Sequence, residues 1–286
     1  MNTKHEMGPA LIKRILKCIE DLPPMPQILE KAIGIINDPD SSLKELADLF
    51  ETDQALAMKV LRLANSVYYS RLSKVRSIQG AALVLGFNTL GEMITTACAS
   101  KILNTNLEGY NIIPGSLWVH SISVAFCSKI IAKKKFPEYI DDAYLAGLIH
   151  DVGKLILNDF ICARKSMFPE LYDKNIIIST EIERKILGIN HANIAGNLCE
   201  KWNFPKHISI AIQAHHSPSK WPQNELVQII HTANQIINWN DSKQNREVNL
   251  KIDNASLELL MFEHSEIEEI LNESLNYAFT VINSLK

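Results

Sequence analysis

Residues 146–155 contain the run Ala146-Gly-Leu-Ile-His150-Asp151-Val-Gly153-Lys154-Leu155, in which a histidine and an aspartate stand among apolar residues. Around this run, apolar residues recur at the spacing of one helix face, and they are Leu145, Leu148, Ile149, Val152 and Ile156. The pattern predicts two helices, near 141–152 and 154–167, with the His150–Asp151 pair at the edge of a buried face.

The same spacing continues through most of the chain, and the alternation typical of strands is nearly absent. We therefore predict an all-α fold. The other helices are predicted near 9–20, 26–37, 42–51, 53–66, 77–86, 88–104, 116–134, 179–188, 191–202, 205–215, 223–239, 255–263 and 265–284. Three matches to the capping box, in which Ser/Thr and Glu satisfy the first amides of a helix, predict helix starts at Ser42–Glu45, Thr180–Glu183 and Ser265–Glu268.

A polar segment, 103–115, interrupts the helical pattern and ends in Pro114-Gly115. Proline and glycine together are typical of a loop. This segment is the best candidate boundary, and it predicts an N-terminal helical part, 1–110, followed by a second helical part, 111–286, that carries the His/Asp residues.

Composition excludes several classes of protein. With 286 residues, 47% hydrophobic, the chain can bury a sizeable core, and its net charge of −3 makes nucleic acid an unlikely partner. Residues 42–66 resemble a helix-turn-helix, but Lys59 and Arg62 are the only cations of its second helix, which favours two packed helices over a DNA-binding unit.

The five cysteines are odd in number and scattered, as expected of free thiols in a reducing compartment. No signal peptide or membrane span is recognisable, so the predicted location is the cytoplasm.

Histidines recur on the apolar faces of separate predicted helices: His120, His150, His191 and His215. A single core histidine is usually satisfied by a backbone carbonyl. Several buried imidazoles beside an aspartate are costly without partners, however, and a shared divalent cation or a water-filled cleft would relieve them together. Nitrogen and oxygen donors without cysteine suit iron, manganese, nickel, zinc or magnesium.

The motifs, taken in order, resemble those of the HDOD family, a branch of the HD superfamily of metal-dependent phosphohydrolases. Besides the 146–155 run, the resemblance covers nearly the whole chain, and its motifs are Leu22-Pro-Pro-Met-Pro26, 53–66, 77–86, Trp118-Val-His120-Ser121, 183–196, Trp202-Asn-Phe-Pro205 and His215-His216-Ser-Pro218. The resemblance implies an N-terminal helical part packed on an HD-like bundle. It also implies a bacterial role in signal transduction or regulation.

The resemblance also implies site residues. His120, His150 and Asp151 would bind one metal ion and, by similarity to HD-GYP phosphodiesterases, His191 with His215 or His216 a second. Asp151 and Lys154 would be the catalytic residues, with Lys154 meeting a substrate phosphate; an exposed helix-end lysine is the alternative. The aspartate that closes the HD pattern is replaced by Asn234, a neutral and weaker ligand. The Gly-Tyr-Pro element of HD-GYP proteins is absent.

These departures favour a regulatory protein that acts mainly by binding an unknown protein or nucleotide partner, with an altered metal site that is filled or empty. The alternative is an active phosphohydrolase or phosphodiesterase acting on a nucleotide or cyclic dinucleotide. That alternative is supported by the retention of every histidine of the implied site and of Asp151.

Overall fold

The structure is a computed structural model that describes residues 8–21, 31–32, 34–35, 38, 40–51, 53–69, 74–170, 178–242 and 250–286. Within these ranges its α-helices are α1 (Pro9–Asp21), α2 (Leu43–Glu51), α3 (Gln54–Ala64), α4 (Ile78–Leu85), α5 (Phe87–Leu103), α6 (Ser116–Lys135), α7 (Ile140–Ile149), α8 (Gly153–Cys162), α9 (Thr180–Leu187), α10 (His191–Lys201), α11 (Lys206–Ala214), α12 (Glu225–Ser242), α13 (Asn254–Leu260) and α14 (His264–Leu285). No strand occurs among the described residues, so the predicted all-α class is confirmed.

Most helix boundaries lie within two residues of the predicted ones. The exceptions are four helix ends. α7 and α13 end three residues before the predicted position, at Ile149 and Leu260, and α12 continues three residues beyond it, to Ser242. α8 ends at Cys162, five residues early, and is followed by a short 3-10 turn at Lys165–Met167. The Leu22–Pro26 motif and most of the helix predicted at 26–37 lie outside the described residues. None of the described helices is long and apolar enough to cross a membrane.

One of the three predicted capping boxes is confirmed. The Ser42 hydroxyl accepts the Glu45 amide at 3.2 Å, and the Glu45 carboxylate accepts the Ser42 amide at 3.4 Å. The other two predictions were wrong by one or two residues. Ser179, not Thr180, caps α9, and α14 starts with a box formed by Glu263 and Glu266, because a glutamate carboxylate can accept the same amides as a serine.

The centre of the molecule is α6, which is buried along most of its length. It packs against α7, α12 and α14. Gly147 allows α7 to approach closely, because a Cβ at this position would lie 2.9 Å from Cα of Ala125 and 3.0 Å from the carbonyl oxygen of Val124. Helix α10 packs on both α8 and α11, so the turn between α7 and α8 faces the start of α10.

Polar contacts join α5 to the later helices. Glu92 of α5 forms an ion pair with Lys129 of α6 and accepts the hydroxyl of Tyr69 at 2.5 Å. One turn further along α5, Thr96 shares a hydrogen bond of 2.7 Å with Tyr144 of α7. Because an unpaired buried charge or hydroxyl is costly, these contacts favour one packing arrangement of α5 on α6 and α7. The division of the chain near residue 110 stays a prediction.

Candidate metal centre

The His150–Asp151 pair forms the turn between α7 and α8, and both residues are buried. The Nδ1–H of His150 donates to the carbonyl of Gly147 at 2.8 Å, so the other ring nitrogen carries a lone pair. That nitrogen, Nε2, is buried and has no hydrogen-bond partner.

His215 repeats this arrangement at the end of α11. Its Nδ1–H donates to the carbonyl of Ile212 at 2.6 Å, and its buried Nε2 also lacks a partner. The rings of His150 and His215 lie 5.1 Å apart, centroid to centroid. Buried polar atoms are rarely left unpaired, so two such nitrogens near one carboxylate are a feature that calls for a ligand.

His191 is the first residue of α10 and is held by Glu183 of α9. One carboxylate oxygen of Glu183 lies 2.7 Å from Nδ1 of His191, and the other accepts the His191 backbone amide at 2.8 Å. Glu183 also accepts the hydroxyl of Tyr110 at 2.6 Å. These inward contacts explain why Glu183 does not cap α9 as the sequence pattern predicted.

The opposite edge of the His191 ring faces Asp151 and His216. Its Nε2 lies 3.0 Å from Oδ1 of Asp151 and 3.0 Å from Nε2 of His216. Donor atoms of four residues therefore lie within 4.8 Å of one another, and we call them the four-donor group: Asp151, His191, His215 and His216.

A second cluster shares Asp151 with the first, and we call it the HD triad: His120, His150 and Asp151. Its donor atoms also lie within 4.8 Å of one another. Asn234 lies beside this triad, because its Oδ1 is 3.1 Å from Nε2 of His120. The same oxygen accepts a hydrogen bond of 2.9 Å from the side-chain Nδ2 of Asn238. The structure thus brings together every site residue named from the sequence.

Lys154 does not take the exposed helix-end position that was the alternative to its predicted catalytic role. Its ammonium donates to Oδ2 of Asp151 at 2.6 Å rather than lying free at a helix end. The side chain is mostly buried and lies about 6.0 Å above the ring of Tyr110. Its charge partly neutralises the shared carboxylate on the side of the HD triad.

His231 lies close to the cluster but is not free to bind a metal ion. Its Nδ1–H donates to the carbonyl of His215 at 2.8 Å, and its Nε2 accepts the amide of Asp253 at 3.2 Å. Both ring nitrogens are used, so His231 supports the backbone at His215.

Burial sets the protonation of the cluster. It lowers the pKa of His150 to about 4 and holds the pKa of His215 and His216 well below the ordinary value, so these rings are neutral near pH 7. Burial alone would raise the pKa of Asp151, but His150, Lys154 and His191 lower it well below its usual range. His191 is the exception, because burial lowers its pKa but Asp151 and Glu183 raise it above the ordinary value. A carboxylate and neutral imidazoles are the forms that bind a cation, so a cation at His191 competes with a proton.

These residues fit a divalent cation. Three imidazoles and one carboxylate form the four-donor group, and the Nδ1 atoms of His215 and His191 are fixed by a carbonyl and a carboxylate, as is usual for metal-binding histidines. Iron, manganese, nickel or zinc suits this set. Magnesium suits it poorly, because that ion prefers oxygen donors.

Residues 22–218 match the HDOD domain family, and this range includes both clusters but not Asn234. The chain belongs to the HDOD family. One curated relative, an uncharacterized protein of Treponema pallidum, is 24% identical to this HDOD chain over 235 residues, which is 79% of this chain and 44% of the relative. The HDOD chain therefore spans less than half the length of that relative.

Solved structures share the helical fold of this HDOD chain. A candidate phosphohydrolase from Shewanella amazonensis SB2B has a TM-score of 0.74 at 21% identity, with 95% of this chain and 98% of that chain covered. An HDOD domain protein of unknown function from Geobacter sulfurreducens has a TM-score of 0.68 at 27% identity, with 96% and 92% covered. A candidate signal transduction protein from Marinobacter aquaeolei VT8 has a TM-score of 0.71 at 23% identity, with 96% and 64% covered.

Glu183 provides a first test of the centre in this HDOD protein. We expect Glu183→Gln to lower the affinity for Mn²⁺ by about 10–100-fold, because the partner that orients His191 loses its charge while its shape is kept. Calorimetric titration of the metal-free protein measures this effect. Glu181→Gln, at an exposed position of the same helix, should leave the affinity unchanged. Equal affinity in Glu183→Gln and wild type would contradict a positioning role.

The pKa of His150 provides a second test, in metal-free protein. In the unfolded chain His150 takes up a proton near pH 6.5, but in the folded chain it does so only near pH 4. Below pH 6.5 the unfolded state therefore binds more protons, and stability falls toward pH 4 by roughly 3 kcal/mol for this group. Urea unfolding at neutral and acidic pH measures the loss.

His150→Gln isolates this contribution from other titrating groups. His191 acts in the opposite sense, because Asp151 and Glu183 raise its pKa even though burial lowers it. We expect the variant to lose distinctly less stability than wild type between neutral pH and pH 4. The same loss in both proteins would show that His150 is not buried as a neutral ring.

Proposed function

We propose that this HDOD chain is a regulatory protein that binds a divalent cation in the four-donor group and, at that centre, a phosphorylated ligand such as a nucleotide. The observation that carries the proposal is the buried Nε2 of His215, which has no partner and lies with the donor atoms of Asp151, His191 and His216. A ring nitrogen with a lone pair and no proton can bind a cation directly.

The surroundings of Asp151 suit a ligand of this kind. When bound, a divalent cation supplies a Lewis acid that attracts phosphoryl oxygens and lowers the pKa of a water ligand. Asp151, Lys154 and His120 also line a cavity of about 1110 Å³, so a small molecule can reach the centre. The ammonium of Lys154 adds a positive charge at the cavity wall, where a phosphate would arrive.

Phosphoester hydrolysis is the second candidate function. It is favoured by the HD triad, which retains two histidines beside the shared Asp151, as in sites that hold two metal ions. Asn234 argues against it, because an amide replaces a carboxylate next to His120 and leaves the triad with less negative charge. Lys154 already pairs with the Asp151 oxygen on that side.

Two assays on the same protein separate these functions. We expect AMP to bind the Mn²⁺-loaded chain in calorimetry, and to bind neither the metal-free chain nor His215→Ala. We expect no hydrolysis of bis(p-nitrophenyl) phosphate above the rate of the Asp151→Asn variant. Hydrolysis that is lost in Asp151→Asn would establish the second candidate. Equal AMP binding with and without metal would reject the proposed function.

A further inference from the structure

The cavity at the metal centre extends far beyond it. Asp151, Lys154 and His120 form part of its wall, and Lys59 of α3 and Ser100 of α5 form another part. Its volume of about 1110 Å³ slightly exceeds the roughly 300–1,000 Å³ that small-molecule sites occupy. The cavity therefore joins the candidate metal centre to the N-terminal helices.

Lys59 is a second positive group on this wall. Its side chain is half-buried, and its ammonium donates to the hydroxyl of Ser100 at 3.2 Å. Ser100 is itself buried and donates to the carbonyl of Ala97, so the lysine is held in one place. No carboxylate among the described residues pairs with Lys59. A partly buried ammonium without a counter-ion is costly, and an anionic ligand would compensate it.

The other lining residues suit a ligand whose middle part is uncharged and whose two ends are anionic. Apolar side chains face the cavity from the 111–119 segment, where Ile113 and Val119 are well exposed, and Trp118 adds an aromatic ring. Another cation, Lys286, also lines the cavity, but it is exposed and donates to Asn283 of its own helix. Lys59 is less screened by solvent and therefore the stronger anion site.

We propose that Lys59 forms a second anion-binding subsite, so that the cavity takes an elongated ligand with two separated phosphate groups. This inference rests on the proposed function for one of the two phosphates. That phosphate binds the cation held by the four-donor group and the ammonium of Lys154. The far phosphate binds at Lys59 and displaces no protein carboxylate. A ligand that reaches from Lys154 to Lys59 contacts α3, α5 and the HD-like helices at once.

A homologous series of straight-chain alkane bisphosphates tests the subsite, with the matching monophosphates as references. In Mn²⁺-loaded protein we expect one chain length to bind about 10-fold more tightly as the bisphosphate than as the monophosphate, the gain of one charge-assisted hydrogen bond. Lys59→Met should abolish that preference and leave monophosphate binding unchanged. Lys59→Arg should retain it, and Lys101→Met, at an exposed lysine of α5 that does not line the cavity, should leave it intact.

Three outcomes would overturn the subsite. They are equal binding of mono- and bisphosphates at every chain length, equal weakening of both by Lys59→Met, and loss of the preference in Lys101→Met. In each case metal-dependent binding of AMP and of the monophosphates leaves the proposed function standing. Absence of that binding would reject the proposed function itself.

Discussion

Gly153→Ala is expected to destabilise the protein by about 3 kcal/mol or more, a large effect for one methyl group. A Cβ at residue 153 would lie 2.1 Å from the carbonyl oxygen of His191 and 2.9 Å from the amide nitrogen of Ala195. Both are backbone atoms of α10, so no side-chain rotation can make room. The clash would push α10 away from α8 and move His191 away from Asp151. Urea unfolding measures the loss of stability.

Gly34→Ala is the matched control, because a Cβ there would meet nothing within 4 Å. Alanine favours a helix over glycine, so this variant should match wild type or gain up to about 1 kcal/mol. If Gly153→Ala unfolds at the same urea concentration as wild type, the close contact between α8 and α10 is not as described.

Asp151→Asn should have the largest effect on metal binding. The affinity for Mn²⁺ is expected to fall by more than about 100-fold, because loss of a group that merely orients a ligand already costs about 10–100-fold. The substitution keeps the shape of the side chain but removes the charge shared by the four-donor group and the HD triad. It also leaves the ammonium of Lys154 without its carboxylate partner. Calorimetric titration with Mn²⁺ measures the affinity.

Asp142→Asn serves as the control for a lost carboxylate. Asp142 pairs with His207 at 2.9 Å on an exposed surface, outside both clusters. We expect its metal affinity to equal that of wild type. Undiminished affinity in Asp151→Asn would place the metal site elsewhere.

The helices and the identity of the candidate ligands were predictable from local sequence. Apolar spacing located nearly every helix, because each helix buries one face whatever it packs against. The histidines were recognisable for the same reason, since His191 and His215 stood on apolar faces where an unpaired imidazole is costly. A resemblance to HDOD motifs then grouped residues far apart in the chain.

The supporting contacts were not predictable from local sequence. Glu183 matched a capping box with Thr180, and nothing in its neighbourhood indicated that it would turn inward to His191. The sequence left open whether Lys154 was a catalytic residue or an exposed helix-end lysine, and it did not predict the hydrogen bond to Asp151. The pairing of Glu92 with Lys129 likewise depends on how α5 docks on α6, which helix periodicity does not encode.

The position of Lys59 illustrates the same limit. In the sequence it was one of two cations in the second helix of a segment resembling a helix-turn-helix, and it indicated no ligand-binding role. In the structure, α3 carries it to the wall of the cavity that contains Asp151. Its proposed role follows from the packing of α3 on α5, which joins residues separated by almost one hundred positions.

Elemental analysis of protein purified without chelator and then equilibrated with Mn²⁺ tests the four-donor group most directly. We expect about one metal ion per chain in wild type and in His120→Ala, and no metal ion in His215→Ala, with the helical circular dichroism of all three proteins alike. A wild-type chain without metal, or a His215→Ala chain that retains it, would show that the four-donor group is not the metal site.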